Sequence, residues 1–145
     1  MIVSMTSDII RFETKITIVV RDDLATWQKL NIASFLAGGI AGSYPELVGE
    51  RYADASGKSY GPLIRQPILI FAATGEDLKK VLERAASRGI EPSIYTRELF
   101  LTGNDGDNRA AVAAVPTGEL DLVGIGLHAE RKIVDKIIKG LSLHP

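Results

Sequence analysis

Apolar positions in this chain fall into two kinds of run, which alternate. Lys15–Leu24 reads KITIVVRDDL, a β-branched run that stops abruptly at Arg21-Asp22-Asp23. A run that is apolar on both faces must be buried on both, as a central strand of an α/β sheet is. Pro67–Ala72 is a second such run, Ile90–Thr96 a third and shorter one, and Leu120–Ile125 a fourth, closing in Gly124-Ile125-Gly126. Between them the period lengthens to that of a helix. Trp27–Ala41 sets Leu30, Ala33, Leu36, Ala37 and Ile40 on one buried stripe, with Thr26 placed to cap it. Thr74, followed by Glu76 and Asp77, opens a helix with the stripe Leu78, Val81, Leu82, Ala85 and Ala86, and Gly89 ends it. Arg109–Val115 predicts a short helix stopped by Pro116, and Ala129–Lys139 a last one that buries Ile133, Val134, Ile137 and Ile138. Strands alternating with helices over short connections predict a layered α/β domain.

The pattern breaks in two places. Residues 43–66 hold glycines, prolines and tyrosines among scattered charges, and predict an irregular excursion with a short hairpin turning at Ser56-Gly57-Lys58. Residues 1–14 precede the first strand as an N-terminal extension, so a single domain is expected over 15–145. The chain has 145 residues and a net charge of −1, a balance that weighs against broad nucleic-acid binding. With no cysteine, disulfides, thiolate nucleophiles and cysteine-ligated metals are excluded. No apolar run is long enough to span a membrane, and the N-terminus lacks the pattern of a signal peptide. A cytoplasmic location without membrane contact is therefore expected.

Candidate chemistry is sparse. Arg21, Asp22 and Asp23 stand where an open α/β sheet forms its crevice, and equally where a solvated turn would cap the next helix. Asn104, Asp105, Asp107 and Asn108 imitate part of a calcium loop but lack its distant glutamate, so they predict a turn. Gly124-Ile125-Gly126 resembles a fragment of a dinucleotide fingerprint placed after the last strand, where close packing of strand on helix explains it better. His128 and His144 are the only histidines and predict no metal site. Trp27 and Phe35 are expected to pack. No cofactor is implied.

Four segments, KITIVVRDDL at 15–24, QPILIFAATGEDLKKVLERAASRGI at 66–90, LDLVGIGL at 120–127 and ERKIVDKIIKGLSL at 130–143, together resemble the second type of peptidyl-tRNA hydrolase. Within that fold superfamily they resemble most a bacterial domain family of unknown function. The resemblance implies a layered α/β/α domain on a mixed sheet of about four strands. It also implies a reaction, cleavage of the ester between a peptide and transfer RNA. The family's functional lysine falls on Leu30 and its glutamine on Ser34, with Lys29 one residue away. The family's aspartate, followed four residues later by a threonine, is matched with a one-residue offset by Glu98 and Thr102.

Two main expectations follow. The first is a site at the sheet end that has drifted from the parent hydrolase and binds a small polar ligand through Asp23, Asn31 and Arg109. Lys29, Glu98 and Thr102 would carry any retained hydrolysis there, with a lysine–carboxylate pair polarising a carbonyl. The second is a non-catalytic homodimer that uses Tyr44, Tyr52 and Tyr60 of the excursion as contact surface. Transfer RNA is the less expected partner.

Overall fold

A computed structural model describes residues 12–145. Most of the expected N-terminal extension lies outside the described residues, and its last residue, Thr14, opens the first strand. That strand, β1 (Thr14–Arg21), is the middle of a five-stranded mixed sheet. It runs parallel to β4 (Ile68–Ala73), from Ile16 opposite Ile68 to Arg21 opposite Ala73. On its other side β6 (Leu122–Glu130) lies antiparallel, from Thr14 opposite Glu130 to Val20 opposite Gly124. The edges are β5 (Ser93–Thr96) beside β6 and β7 (Ser142–Leu143) beside β4.

Several boundaries differ from expectation, each for a local reason. The sheet has five strands rather than about four, because the two residues of β7 find a partner in β4 that no periodicity announces. β6 runs on to Glu130, since it pairs with β1 over nearly its whole length. β5 starts at Ser93 because the Ile90 N–H is held by the Ala85 carbonyl at 2.9 Å, closing the preceding helix.

One face of the sheet is covered by α1 (Thr26–Ser43). Thr26 is its first residue, not its cap; the cap is Ala25, whose N–H donates to Gln28 Oε1 at 3.0 Å. The buried stripe is Ile32, Leu36 and Ile40, four residues apart, lying over Ile16, Ile18 and Val20 of β1. Leu30, expected in the core, is 64% exposed. The reason is in β6. A Cβ on Gly124 would stand 2.3 Å from Ile32 Cγ2, and one on Gly126 3.1 Å from Ile40 Cδ1. The helix thus settles where the sheet offers no side chains, which aims Ile32 and Ile40 at the glycines and turns Leu30 to the flank.

The other face carries α2 (Gly75–Ser87) and α4 (Arg131–Ile137), whose Leu78, Val81, Ala85, Val134 and Ile137 pack with Val19 of β1. Thr74 caps α2 as expected: its Oγ1 accepts from the Asp77 N–H at 3.1 Å. Arg84 reaches across to the carbonyls of Ile137 and Lys139 at 3.2 and 3.1 Å, satisfying the open end of α4. After β5, α3 (Asp105–Ala113) packs against the turn formed by Arg97–Phe100. The excursion forms a separate ribbon, β2 (Tyr52–Ala53) against β3 (Ser59–Tyr60), with Gly57 at positive φ in the turn as the hairpin reading expects. Leu47 and Gln66, both buried, anchor its base. Among the described residues no helix is long and apolar enough to cross a membrane.

Candidate functional site

A single helix cannot cover five strands, so α1 leaves a groove along each flank. The groove toward β5 is the larger, at about 670 Å3. On the helix side it is lined by Trp27, Asn31 and Phe35, a second stripe at four-residue spacing beside the buried one. Tyr95 of β5, then Phe100, Thr102, Asn104 and Asn108 line the opposite side.

Four aromatic rings run through this cleft in sequence. Trp27 meets Phe100 edge-on with centroids 5.6 Å apart, Phe100 meets Tyr95 at 5.1 Å, and Tyr95 meets Phe35 at 5.9 Å. Trp27 and Phe35 nevertheless remain 61% and 60% exposed. They were expected to pack, and pack only on one side. At the floor, Asn31 Nδ2 donates to Tyr95 Oη at 3.0 Å. Burial pushes the Tyr95 phenol up, against a smaller lowering by Asn31, so it is protonated at neutral pH. Among the described residues neither Asn31 Oδ1 nor the Tyr95 hydroxyl hydrogen has a protein partner. An acceptor and a donor are thus left side by side.

The rim is built by the start of α3. Asn104 Oδ1 accepts from the Asp107 N–H at 2.8 Å, so the asparagine–aspartate cluster is a helix cap, and α3 begins four residues before the expected Arg109. Thr102 Oγ1 donates to the Leu99 carbonyl at 3.1 Å and contacts Asn108 Oδ1.

Of the expected site residues, Asn31 and Thr102 meet in this cleft. The others do not join them. Arg109 pairs with Asp105 at 2.8 Å on the exposed face of α3. Asp23 is gripped by Arg21 through both oxygens at 3.0 and 2.9 Å, which holds its carboxyl below the usual range. Arg21 in turn reaches Asp121, which Arg97 also binds. This chain of ion pairs occupies the charged end of β1. Lys29 lies on the opposite flank of α1, in contact with His144, and no ion pair joins it to Glu98. Sequence reading missed Trp27, Phe35, Tyr95 and Phe100 as lining residues. The signal available was the spacing of Trp27, Asn31 and Phe35, which puts two large rings and an amide on one stripe.

Neither histidine is in this cleft. His128 lies within β6, its ring 4.3 Å from Tyr44. Among the described residues no group of three or more His, Asp or Glu side chains could hold a metal ion. The cleft's resources are aromatic faces, amides, hydroxyls and the carboxylate of Asp105, which suit holding a flat, partly polar molecule.

None of the curated proteins matches the chain. It is similar to a solved protein of unknown function from Agrobacterium tumefaciens strain C58, at 45% identity and a TM-score of 0.90. That similarity covers 93% of this chain and 100% of the other. The family described as "Protein of unknown function (DUF2000)" matches residues 14–145, the whole sheet and all its helices. The chain belongs to the DUF2000 family.

Proposed function

We propose that the cleft between α1 and β5 binds a small molecule built on a flat ring with a hydrogen-bonding edge. The observation that carries this reading is the four-ring wall around the Asn31–Tyr95 hydrogen bond. Two half-open rings supply stacking area, and the unpaired Asn31 and Tyr95 atoms supply an edge that reads a donor–acceptor pair. Stacking on an aromatic side chain is worth about 1–3 kcal/mol by alanine substitution. The small polar ligand expected at the sheet end is thereby narrowed in chemistry and moved to the β5 flank.

Trp27 is the only tryptophan, so its fluorescence reports on the cleft directly. A panel of nucleosides, flavins and indoles should contain a compound that quenches it saturably. By calorimetry, Phe35→Ala and Asn31→Leu should each weaken that compound about tenfold, or about 1.4 kcal/mol. Silence across the panel, or variants that bind like wild type, would sink the proposal.

Kinship with the second type of peptidyl-tRNA hydrolase, and ester cleavage by Lys29, Glu98 and Thr102, is the weaker alternative. It needs Lys29 beside a carboxylate, and Lys29 faces the other flank. A release assay on peptidyl-tRNA decides it: turnover lost in Lys29→Ala would favour the hydrolase, and none above background removes it.

A second reading, self-association, is favoured by the excursion. Every residue from Glu50 to Leu63 is exposed, with Tyr52, Tyr60 and Leu63 at 54%, 44% and 64%. A long segment that buries so little of itself fits a contact surface for a second copy of the chain.

A further inference from the structure

The groove on the other flank of α1 has a different chemistry. It holds about 450 Å3 between α1 and strands β4 and β7, within the range of small-molecule sites. Its walls are aliphatic: Leu30 and Ala33 from α1, Ile68 and Ile70 from β4, and Leu143 from β7. Leu30 and Leu143 are 64% and 58% exposed, so the lining is apolar and open. Among the described residues no acidic side chain lines the groove.

The polar groups are gathered at one point. Lys29 is the only charged residue in the eighteen of α1, and it has no carboxylate partner among the ion pairs of the described residues. Its ammonium lies instead 3.3 Å from His144 Nε2. His144 is held in place by its own backbone, whose N–H donates to the Ile70 carbonyl at 2.9 Å, continuing the β7 ladder. Since the Lys29 ammonium can only donate, Nε2 accepts from it, which places the ring hydrogen on Nδ1, 3.0 Å from Pro145 O. Thr26 adds a hydroxyl on the same side. One ammonium and one imidazole thus face an otherwise aliphatic groove in which, among the described residues, no Asp or Glu side chain pairs with Lys29.

We propose that this groove binds an aliphatic carboxylate, its anionic head on the Lys29 ammonium beside His144 and its chain along Leu30, Ile68, Ile70 and Leu143. The head takes an ammonium hydrogen that now points at an imidazole, so binding exchanges a neutral acceptor for a charged one. The tail covers aliphatic surface that water now wets. The site is separate from the aromatic cleft, and either can fail without the other.

Titrating the full chain with octanoate, while recording amide and methyl shifts, tests the proposal. Saturable one-to-one binding should move Leu30, Ile68, Ile70, Leu143 and His144 and leave Tyr95 and Asn108 unmoved. Octanol tests the tail without the charge, and acetate the charge without the tail; both should bind at least tenfold more weakly. Lys29→Gln should weaken octanoate about tenfold and leave octanol unchanged. Ala33→Phe, which fills the groove, should abolish both, with folding confirmed by the methyl spectrum. Phe35→Ala, on the other flank, should bind octanoate like wild type. The proposal is overturned by the absence of octanoate binding, by Lys29→Gln binding it like wild type, or by shifts that appear in the aromatic cleft instead.

Discussion

His128 has both ring nitrogens buried and, among the described residues, without a hydrogen-bond partner. Its environment is the Tyr44 ring, and desolvation pushes its pKa below the ordinary 6.5, with Glu46 opposing weakly. The folded state therefore binds a proton less readily than the unfolded chain. Stability from this residue is fully present above pH 6.5, and it is lost as pH falls from there toward the depressed folded value. Urea unfolding at a series of pH values should show that loss for wild type, while His128→Phe, which keeps an aromatic ring against Tyr44, should be flat over the same window. Identical slopes would exclude His128 as the source. Asp23 contributes in a separate and lower window. Its carboxyl is held below the ordinary 3.8 by Arg21, so its share disappears only as pH falls below that value.

At the scale of an element, α1 has three working sides. One packs Ile32, Leu36 and Ile40 on the sheet, one presents Trp27, Asn31 and Phe35 to the aromatic cleft, and one presents Lys29, Leu30 and Ala33 to the aliphatic groove. Gly124 decides which side packs. Gly124→Ala should cost about 1–3 kcal/mol, because a methyl must enter a space already filled by Ile32. Gly126→Ala should cost less, since the atom it meets is the movable end of Ile40. Adding Ile32→Ala to Gly124→Ala should recover part of the loss, a coupling that a double-mutant cycle in denaturant would measure. The same contact explains what was legible in the sequence. β1, β4 and α2 announce themselves through local pattern: unbroken β-branched runs, and a capped helix with one clean stripe. In α1, apolar residues occur at nearly every angle, and the choice among them is made by glycines that lie far along the chain in β6. The aromatic cleft was hidden for the same reason. Its second wall, Tyr95 and Phe100, comes from an edge strand and the turn that follows it, and no spacing encodes the strand's place beside β6.

Across the whole molecule, exposure divides sharply between the sheet and the excursion. The ribbon's ends are already tied together: Val48 bridges Ile64, and the Gly49 N–H donates to the Leu63 carbonyl at 2.9 Å. Everything between those ends is exposed, whereas the anchors Leu47 and Gln66 lie outside them and are buried. The fold therefore has no need of the ribbon. Replacing residues 50–62 by Asn-Gly would join Gly49 to Leu63 through a two-residue hairpin turn suited to that pairing. The shorter loop lowers the closure cost by about 1.6 kcal/mol. Calorimetry should accordingly find the melting temperature unchanged or raised by a few degrees, and a large fall would mean that the ribbon supports the sheet after all. The same variant separates the two functional readings. Ligand binding in the flanks of α1 involves no residue of the deleted segment, so Trp27 quenching should survive intact. Self-association through Tyr52 and Tyr60 cannot survive it, so light scattering should find a dimer in wild type and a monomer in the shortened chain. A dimer that persists would move the contact elsewhere on the surface, and a monomer in both would leave ligand binding as the reading that stands.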